Sequence, residues 1–388
     1  MSQSISRREL GLAAAFSVSA AAGQSAKPSE PPKKYGGALQ NDAAKVNMSE
    51  FDPVAWTLER YKSAPLRLTF RASTPAEAEA WQKELRAKVT ELLGGFPDRT
   101  PLHFESLETR EFPGYMREKF VFESRPGVGV LAYLLTPNDV PRPLPAVVCI
   151  PGHGRGVDDI VGIDEYGHDR TDKPGYQHDF AIQTAEHGMA ALAIEPMAFG
   201  CRRDALTASK GLEQTACQPS AGAALLLGET MIGWRVWDVM RAIDWIETRP
   251  ELDPKRVGCM GISGGGTATC FAAALDTRIR AAVISGYLNT FRDSIMSLSH
   301  CMDNYVPGIL NWAEQYDVAG LIAPRPLFSE GGEQDPIFPV KATRESFQRV
   351  RRVYTVFGAP DKVQQDIFPG EHVFNGRRSL PFLKQALS

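Results

Sequence analysis

RVGCMGISGGGTATC, residues 256–270, is the stretch whose reading decides the fold. Val257, Cys259 and Met260 read as a short buried strand, Gly261 to Gly265 as a sharp turn, and Thr267 to Leu275 as a helix rich in small residues. The turn carries G-x-S-x-G. A serine hydroxyl is a weak nucleophile, and a strand-turn-helix elbow lifts Ser263 clear of a sheet, where a base and a carbonyl carbon can reach it. Glycines two residues to either side let the chain turn without side chains colliding.

A nucleophilic Ser263 needs a base, an orienting acid and an anion-stabilising pocket, each following a strand on the same rim of the sheet. Of seven histidines, only His372, in Phe368-Pro369-Gly370-Glu371-His372, follows the last expected strand. Gly331-Gly332-Glu333-Gln334-Asp335-Pro336 follows the strand through Leu327 and Phe328 and supplies the acid. Asp335 is favoured because its short carboxylate, held before Pro336, fits the imidazole; Glu333 is its rival. The intervals are 72 residues from Ser263 to Asp335 and 37 from Asp335 to His372. For the oxyanion pocket, Gly264 offers one backbone N–H. The second is expected from Pro151-Gly152-His153-Gly154-Arg155-Gly156, with Arg155 as donor and Gly154 behind it; one such donor is worth roughly 3 to 4 kcal/mol in the transition state.

Working outward from this core, Ala146 to Ile150 is a continuous apolar run suited to a strand buried on both faces. Strands are expected at Met189 to Ile194, Ala281 to Ser285, after Ala323-Pro324-Arg325-Pro326, and over Lys362 to Ile367. Helices are expected over Asp179 to His187, Met231 to Thr248 and Ala342 to Val350, with one more at the C-terminus. Upstream the period changes to two, giving antiparallel strands over Leu107 to Phe112, Tyr115 to Glu123 and Val128 to Leu135, with Pro-Gly turns between them. Antiparallel strands first and β/α units afterwards predict a mixed, mostly parallel sheet with helices on both faces. Before the sheet, Thr74-Pro75-Ala76-Glu77 reads as a capping box opening a helix to Leu93, with an apolar stripe for docking.

The N-terminus contains Ser6-Arg7-Arg8-Glu9-Leu10 and then the uncharged run from Gly11 to Gly23. A basic start followed by an apolar run too short to span a bilayer describes an export signal, and S-R-R-x-L resembles the twin-arginine type. The expected organisation is therefore a signal over 1–26, a flexible arm over 27–48, an N-terminal helical extension over 49–106 and the catalytic domain over 107–388. Export places the mature protein in the periplasm or outside the cell. No membrane association beyond export is indicated. A formal net charge of −3, without a dense Lys/Arg run, argues against nucleic acid as a partner. The six cysteines form no C-x-x-C pair, and His168, His178 and His187 have no metal-ligand spacing, so neither metal nor cofactor is expected. Export permits disulfides, and Cys201 with Cys217 is the pair most readily bridged.

Taken together, PGHGRG, EPMAFGCRRD, GISGGG, IAPRPLFSEGGEQDP and PGEHVF resemble the α/β-hydrolases of the dienelactone hydrolase and acetyl xylan esterase type, from about Leu107 to the C-terminus. The resemblance implies Ser263 as nucleophile, Asp335 as acid and His372 as base. Dienelactone hydrolases have a cysteine nucleophile and a small single domain, so serine and the extension favour the acetyl-esterase side. Glucuronoyl esterases resemble this class too, but carry an arginine where this chain has Gly264. The implied activity is removal of a short acyl group, acetyl first, from a carbohydrate or small-molecule ester without a cofactor. The same triad would serve a lactone hydrolase or a peptidase. A non-catalytic binding protein on this fold is a further reading, opposed by competent chemistry at every catalytic position. Three insertions, Arg155 to Gln177, Phe199 to Gly228 and Leu288 to Gln315, are long enough to cover the site.

Overall fold

The computed structural model describes residues 37–39, 41–212 and 214–388. The expected signal and half of the arm, residues 27–36 and 40, lie outside the described residues. The chain divides into a unit Met1–Phe51, whose described part consists of turns and a 3-10 turn at Met48–Phe51, and a unit Asp52–Ser388.

The second unit is built on a nine-stranded sheet. Its strands are β1 Glu105–Phe112, β2 Tyr115–Arg125, β3 Val128–Pro137, β4 Leu144–Ile150, β5 Ala190–Ile194, β6 Leu252–Ile262, β7 Ile279–Ser285, β8 Leu327–Gly332 and β9 Val363–Phe368. The order across the sheet is β1-β2-β3-β5-β4-β6-β7-β8-β9. Pairs β1/β2, β2/β3 and β3/β5 are antiparallel; all pairs from β5/β4 to β8/β9 are parallel. Strand pairing thus has the mixed, mostly parallel character expected from the change of period at Ala146.

The helices are α1 Pro53–Tyr61, α2 Pro75–Leu92, α3 Phe180–Glu186, α4 Ala205–Ala208, α5 Cys217–Leu226, α6 Met231–Ile246, α7 Gly264–Leu275, α8 Gln315–Gly320, α9 Val340–Val356 and α10 Ser379–Ala386. Alternation along the central strands sorts side chains onto two faces. Val148, Cys259 and Ala282 join the core that also holds residues of α2, α6, α7, α8 and α9. Val147, Met260 and Val283 join the core under α3 and α10. Both faces are covered, as a parallel sheet requires.

Helix α2 starts at the expected capping box, with Thr74 and Glu77 each accepting from the other's backbone. Its stripe is buried through Trp81, Leu85 and Val89, and it is pinned by Gln82 Nε2 to Ala323 O (2.7 Å) and Arg86 Nε to Ala274 O (3.0 Å). Four helices, α1, α4, α5 and α8, were not read from the sequence. Helix α1 is short and has no buried residue, and α5 lies inside the second insertion, where Cys217, Ala221 and Ala224 turn inward. Among the described residues no helix is long and apolar enough to cross a membrane.

Candidate active site

At the carboxyl ends of β4, β6, β8 and β9, on both sides of the point where strand order reverses, the loops converge on one rim, where open α/β sheets bind ligands. Ser263 sits between β6 and α7 with φ 56° and ψ −122°, a left-handed conformation costly for a residue with a Cβ. The elbow is held by Ser263 N–H donating to Ser285 O (3.1 Å) and Thr267 N–H to Ser263 O (2.9 Å). The glycines around it are demanded by contact. A Cβ on Gly261 would lie 2.5 Å from the Gly265 carbonyl group, and one on Gly265 would lie 1.9 Å from Ile150 O. Ser263 is 8 % exposed.

Asp335 and His372 meet in the structure. Asp335 Oδ2 is 2.7 Å from His372 Nδ1, and Asp335 Oδ1 accepts the N–H groups of Ile337 (2.8 Å) and Phe338 (2.9 Å). The rival, Glu333, points to solvent. The His372 ring is sandwiched between Tyr176 and Phe338, each with its centroid 5.6 Å away. Its other nitrogen, Nε2, is buried without a protein partner, and His372 and Ser263 line the same cleft of about 380 Å³. Below this pair, buried Glu330 accepts from Ser285 Oγ (2.9 Å), Ser379 Oγ (2.7 Å) and Asn375 N (3.1 Å), tying β7, α10 and the loop after His372 together.

The expectation for Arg155 is corrected. Its N–H donates to Asp159 Oδ2 (2.8 Å), and its guanidinium pairs with the same carboxylate (2.6 Å), so the amide is already occupied. Gly154 lies against Asp159 as well, since a Cβ there would stand 2.4 Å from Oδ2. Both residues line a neighbouring polar cavity instead of the Ser263 cleft. Gly152-His153 packs directly against Ser263, where a Cβ on Gly152 would be 3.0 Å from Ser263 Cβ. His153 N–H has no protein acceptor among the described residues, and neither has the N–H of Gly264. The proposed Cys201–Cys217 bridge is also corrected. All six cysteines are free; Cys201 is exposed, whereas the first turn of α5 points Cys217 inward toward His153.

Several residues in the cleft were missed by sequence reasoning. Tyr176, in the first insertion, donates its hydroxyl to His153 O (2.6 Å), with the Ser263 side chain beside it. Burial pushes that phenol well above its usual range. His300, in the third insertion, lines the cleft and packs edge-on to Phe338 at 5.4 Å. Burial lowers His300 to about 4, so it stays neutral. Asp303, 1 % exposed at its side chain, sits 3.2 Å from His153 Nε2 and accepts from Arg235. Burial by itself would favour the neutral His153 ring, but the Asp303 carboxylate outweighs it and raises His153 to about 10. None of these residues stands in a motif; the only hint was that the insertions are long.

A family model described as "Abhydrolase family" matches residues 48–379. The chain belongs to this family. A curated relative, "Putative hydrolase YtaP" of Bacillus subtilis (strain 168), is 28 % identical over 287 residues, covering 72 % of this chain and 89 % of the relative. Among solved structures, a "putative acetyl xylan esterase" from Bacteroides fragilis NCTC 9343 superposes with a TM-score of 0.70 at 20 % identity, covering 86 % of this chain and 89 % of the other. A glucuronoyl esterase from Solibacter usitatus gives a TM-score of 0.61 at 17 % identity, covering 83 % and 97 %. At such identities the structural likeness defines the Abhydrolase-family fold. In this member the position after Ser263 has little room, because a Cβ on Gly264 would lie 3.0 Å from the His153 ring.

Proposed function

We propose that this Abhydrolase-family protein is a serine carboxylic-ester hydrolase that removes a short acyl group, acetyl first, from a carbohydrate alcohol. The observation that carries this reading is the pairing of two cavities. The Ser263 cleft is small, about 380 Å³, with Leu298 and Ile337 on its walls, and suits a short acyl chain. It shares His153 and Tyr176 with an adjoining cavity of about 630 Å³ lined by Arg155, Asp159, Asp164 and Arg170, whose charged and hydrogen-bonding groups suit sugar hydroxyls.

In the reaction, Ser263 Oγ attacks the acyl carbon while its proton passes to His372 Nε2, the buried nitrogen left without a partner. Asp335 holds the opposite nitrogen and stabilises the imidazolium. The carbonyl oxygen becomes an oxyanion facing the N–H groups of Gly264 and His153. Collapse returns the proton to the departing alcohol and leaves the acyl group on Ser263. Water, deprotonated by the same His372, then attacks the acyl-enzyme and releases the acid and free Ser263. We also read the chain as an exported protein, on the strength of Arg7-Arg8 and the apolar run after them.

Hydrolysis of p-nitrophenyl acetate by the purified protein, with Ser263→Ala in parallel, tests the mechanism; equal activity in the two proteins would refute it. A panel of acetylated xylan, a uronate methyl ester, a small lactone and a peptide amide at equal enzyme tests the substrate class. Preference for the peptide or the lactone would overturn the acetyl reading. Loss of export on converting both Arg7 and Arg8 to Lys tests the compartment.

A further inference from the structure

His153 lies on the loop after β4, Cys217 opens α5, and Cys301 and Asp303 lie on the loop that follows β7. The fold gathers one donor atom from each so that all four lie within 4.8 Å of one another. Three of the separations are 3.2 Å (His153 Nε2 to Asp303 Oδ2), 3.5 Å (Cys217 Sγ to Asp303 Oδ2) and 3.7 Å (Cys217 Sγ to His153 Nε2). A tetrahedral ion with bonds of about 2.0 to 2.3 Å keeps its donors about 3.3 to 3.8 Å apart. We propose that His153, Cys217, Cys301 and Asp303 form a four-ligand zinc site beside Ser263.

The donor set selects the ion. Two thiolates, an imidazole and one carboxylate are soft to borderline ligands that suit Zn²⁺ and disfavour Mg²⁺ or Ca²⁺, which take oxygen. A divalent ion with two thiolates and a carboxylate carries a formal charge of −1, and the Arg235 guanidinium stands ready to neutralise it. Arg235 donates to Asp303 and lies 3.5 Å from Cys217 Sγ. It is held in place by two bonds to Met197 O (3.1 and 2.8 Å) and packs 4.3 Å above the Phe199 ring. The Asn304 amide donates to the other Asp303 oxygen at 2.9 Å. Outer partners of this kind orient ligands around a metal.

Four protein ligands leave no open position, so the ion is structural and takes no part in acyl transfer. Its place gives it a second consequence. His153 and Cys301 also line the cleft of Ser263, so the ion ties all the loops carrying its ligands into one wall of that cleft. The site is independent of the esterase reading, and a Ser263→Ala protein retains it.

The test uses the full chain, stripped of metal by a chelator and titrated with Zn²⁺ or Co²⁺. One equivalent of Zn²⁺ is expected to bind and raise the melting temperature. Co²⁺ is expected to give thiolate-to-cobalt charge-transfer absorption together with tetrahedral visible bands. The Cys217→Ser, Cys301→Ser double variant should lose all of these responses, and Cys149→Ser should keep them. If the double variant does not fold, alkylation of the unaltered protein decides: zinc should protect Cys217 and Cys301 and leave Cys201 reactive. Absence of the cobalt–thiolate absorption, or equal alkylation of Cys217 and Cys301 with and without zinc, would overturn the proposal. Recovery of the exported protein with a Cys217–Cys301 disulfide and no zinc would overturn it too.

Discussion

His372 presents Nδ1 to Asp335 Oδ2 at 2.7 Å and keeps its other ring nitrogen buried and unpaired. A neutral imidazole whose Nδ1–H is taken by the carboxylate must expose a lone pair at Nε2, the tautomer that accepts a proton from a serine. Asp335→Asn removes that control while leaving the shape intact, and kcat is expected to fall by about four orders of magnitude with the protein still folded. Glu333→Gln, at an exposed position, should change activity by less than about twofold. Kinetics of both variants on one ester decide between the two acids, and a larger loss in Glu333→Gln would reassign the acid.

Tyr176 joins the first insertion to the Gly152-His153 segment, the proposed oxyanion donor, through its hydroxyl on His153 O, at 2.6 Å. Tyr176→Phe keeps the ring stacked on His372 and removes the hydroxyl that bonds His153 O and stands beside Ser263. A neutral hydrogen bond is worth about 1 kcal/mol, so kcat is expected to drop roughly five- to tenfold with little change in KM. An unchanged kcat would mean that the segment is held by other contacts.

At Gly265 the backbone of α7 presses against Ile150 at the end of β4, and a methyl group there would stand 1.9 Å from Ile150 O. The obstacle is backbone in the centre of the sheet and cannot rotate away. Gly265→Ala is expected to destabilise the protein by about 2 to 4 kcal/mol, read as a lower urea midpoint. Gly222→Ala, where a Cβ meets nothing within 4 Å, is the control and should be neutral or slightly stabilising.

Three buried carboxyls contribute stability that should fall as pH rises from weakly acidic to weakly alkaline. Glu195, fully buried after β5, is raised by burial and then by Asp158 to about 8; Glu314 and Asp317 are raised by burial to about 7 and about 6. In the unfolded chain these carboxyls ionise near 4, so between that pH and the folded values the native state holds more protons. The contribution is fully present below about pH 4 and is lost as pH rises through each folded value, the last near 8. Thermal melts from pH 5 to 9 check the slope. Glu195→Gln should flatten it between about 7 and 9 while keeping an acceptor for Val157 N–H, now at 3.1 Å from the carboxylate. A slope unaffected by this change would place the titration elsewhere.

The elbow was legible because every reason for it is local. Strand, turn and helix around Ser263 follow from apolar residues at Val257, Cys259 and Met260, glycines at 261 and 265, and a small-residue helix after them. The sheet's change from antiparallel to parallel was likewise written in the period, two before Leu135 and continuous apolar runs after Ala146. Helix α1 escaped because it buries nothing, and α5 because its inward residues, Cys217, Ala221 and Ala224, are small and make no strong stripe. Position in an expected loop was enough to nominate Asp335 and His372. It was not enough for the oxyanion donor. The glycine-rich loop suggested Arg155, but Asp159, four residues on, takes that amide.

The sequence by itself therefore determined the α/β architecture and the order in which Ser263, Asp335 and His372 reach one rim, since periodicity and turn chemistry act between near neighbours. Tertiary structure alone decided that Tyr176 clamps His153 and that Cys217 turns away from Cys201 to meet His153, Cys301 and Asp303. Those contacts join positions whose numbers differ by 23 to 86. Their physical cause lies in how the insertions fold back across the sheet, satisfying buried carboxylates and amides with whichever partners come within reach, and no local pattern records that choice.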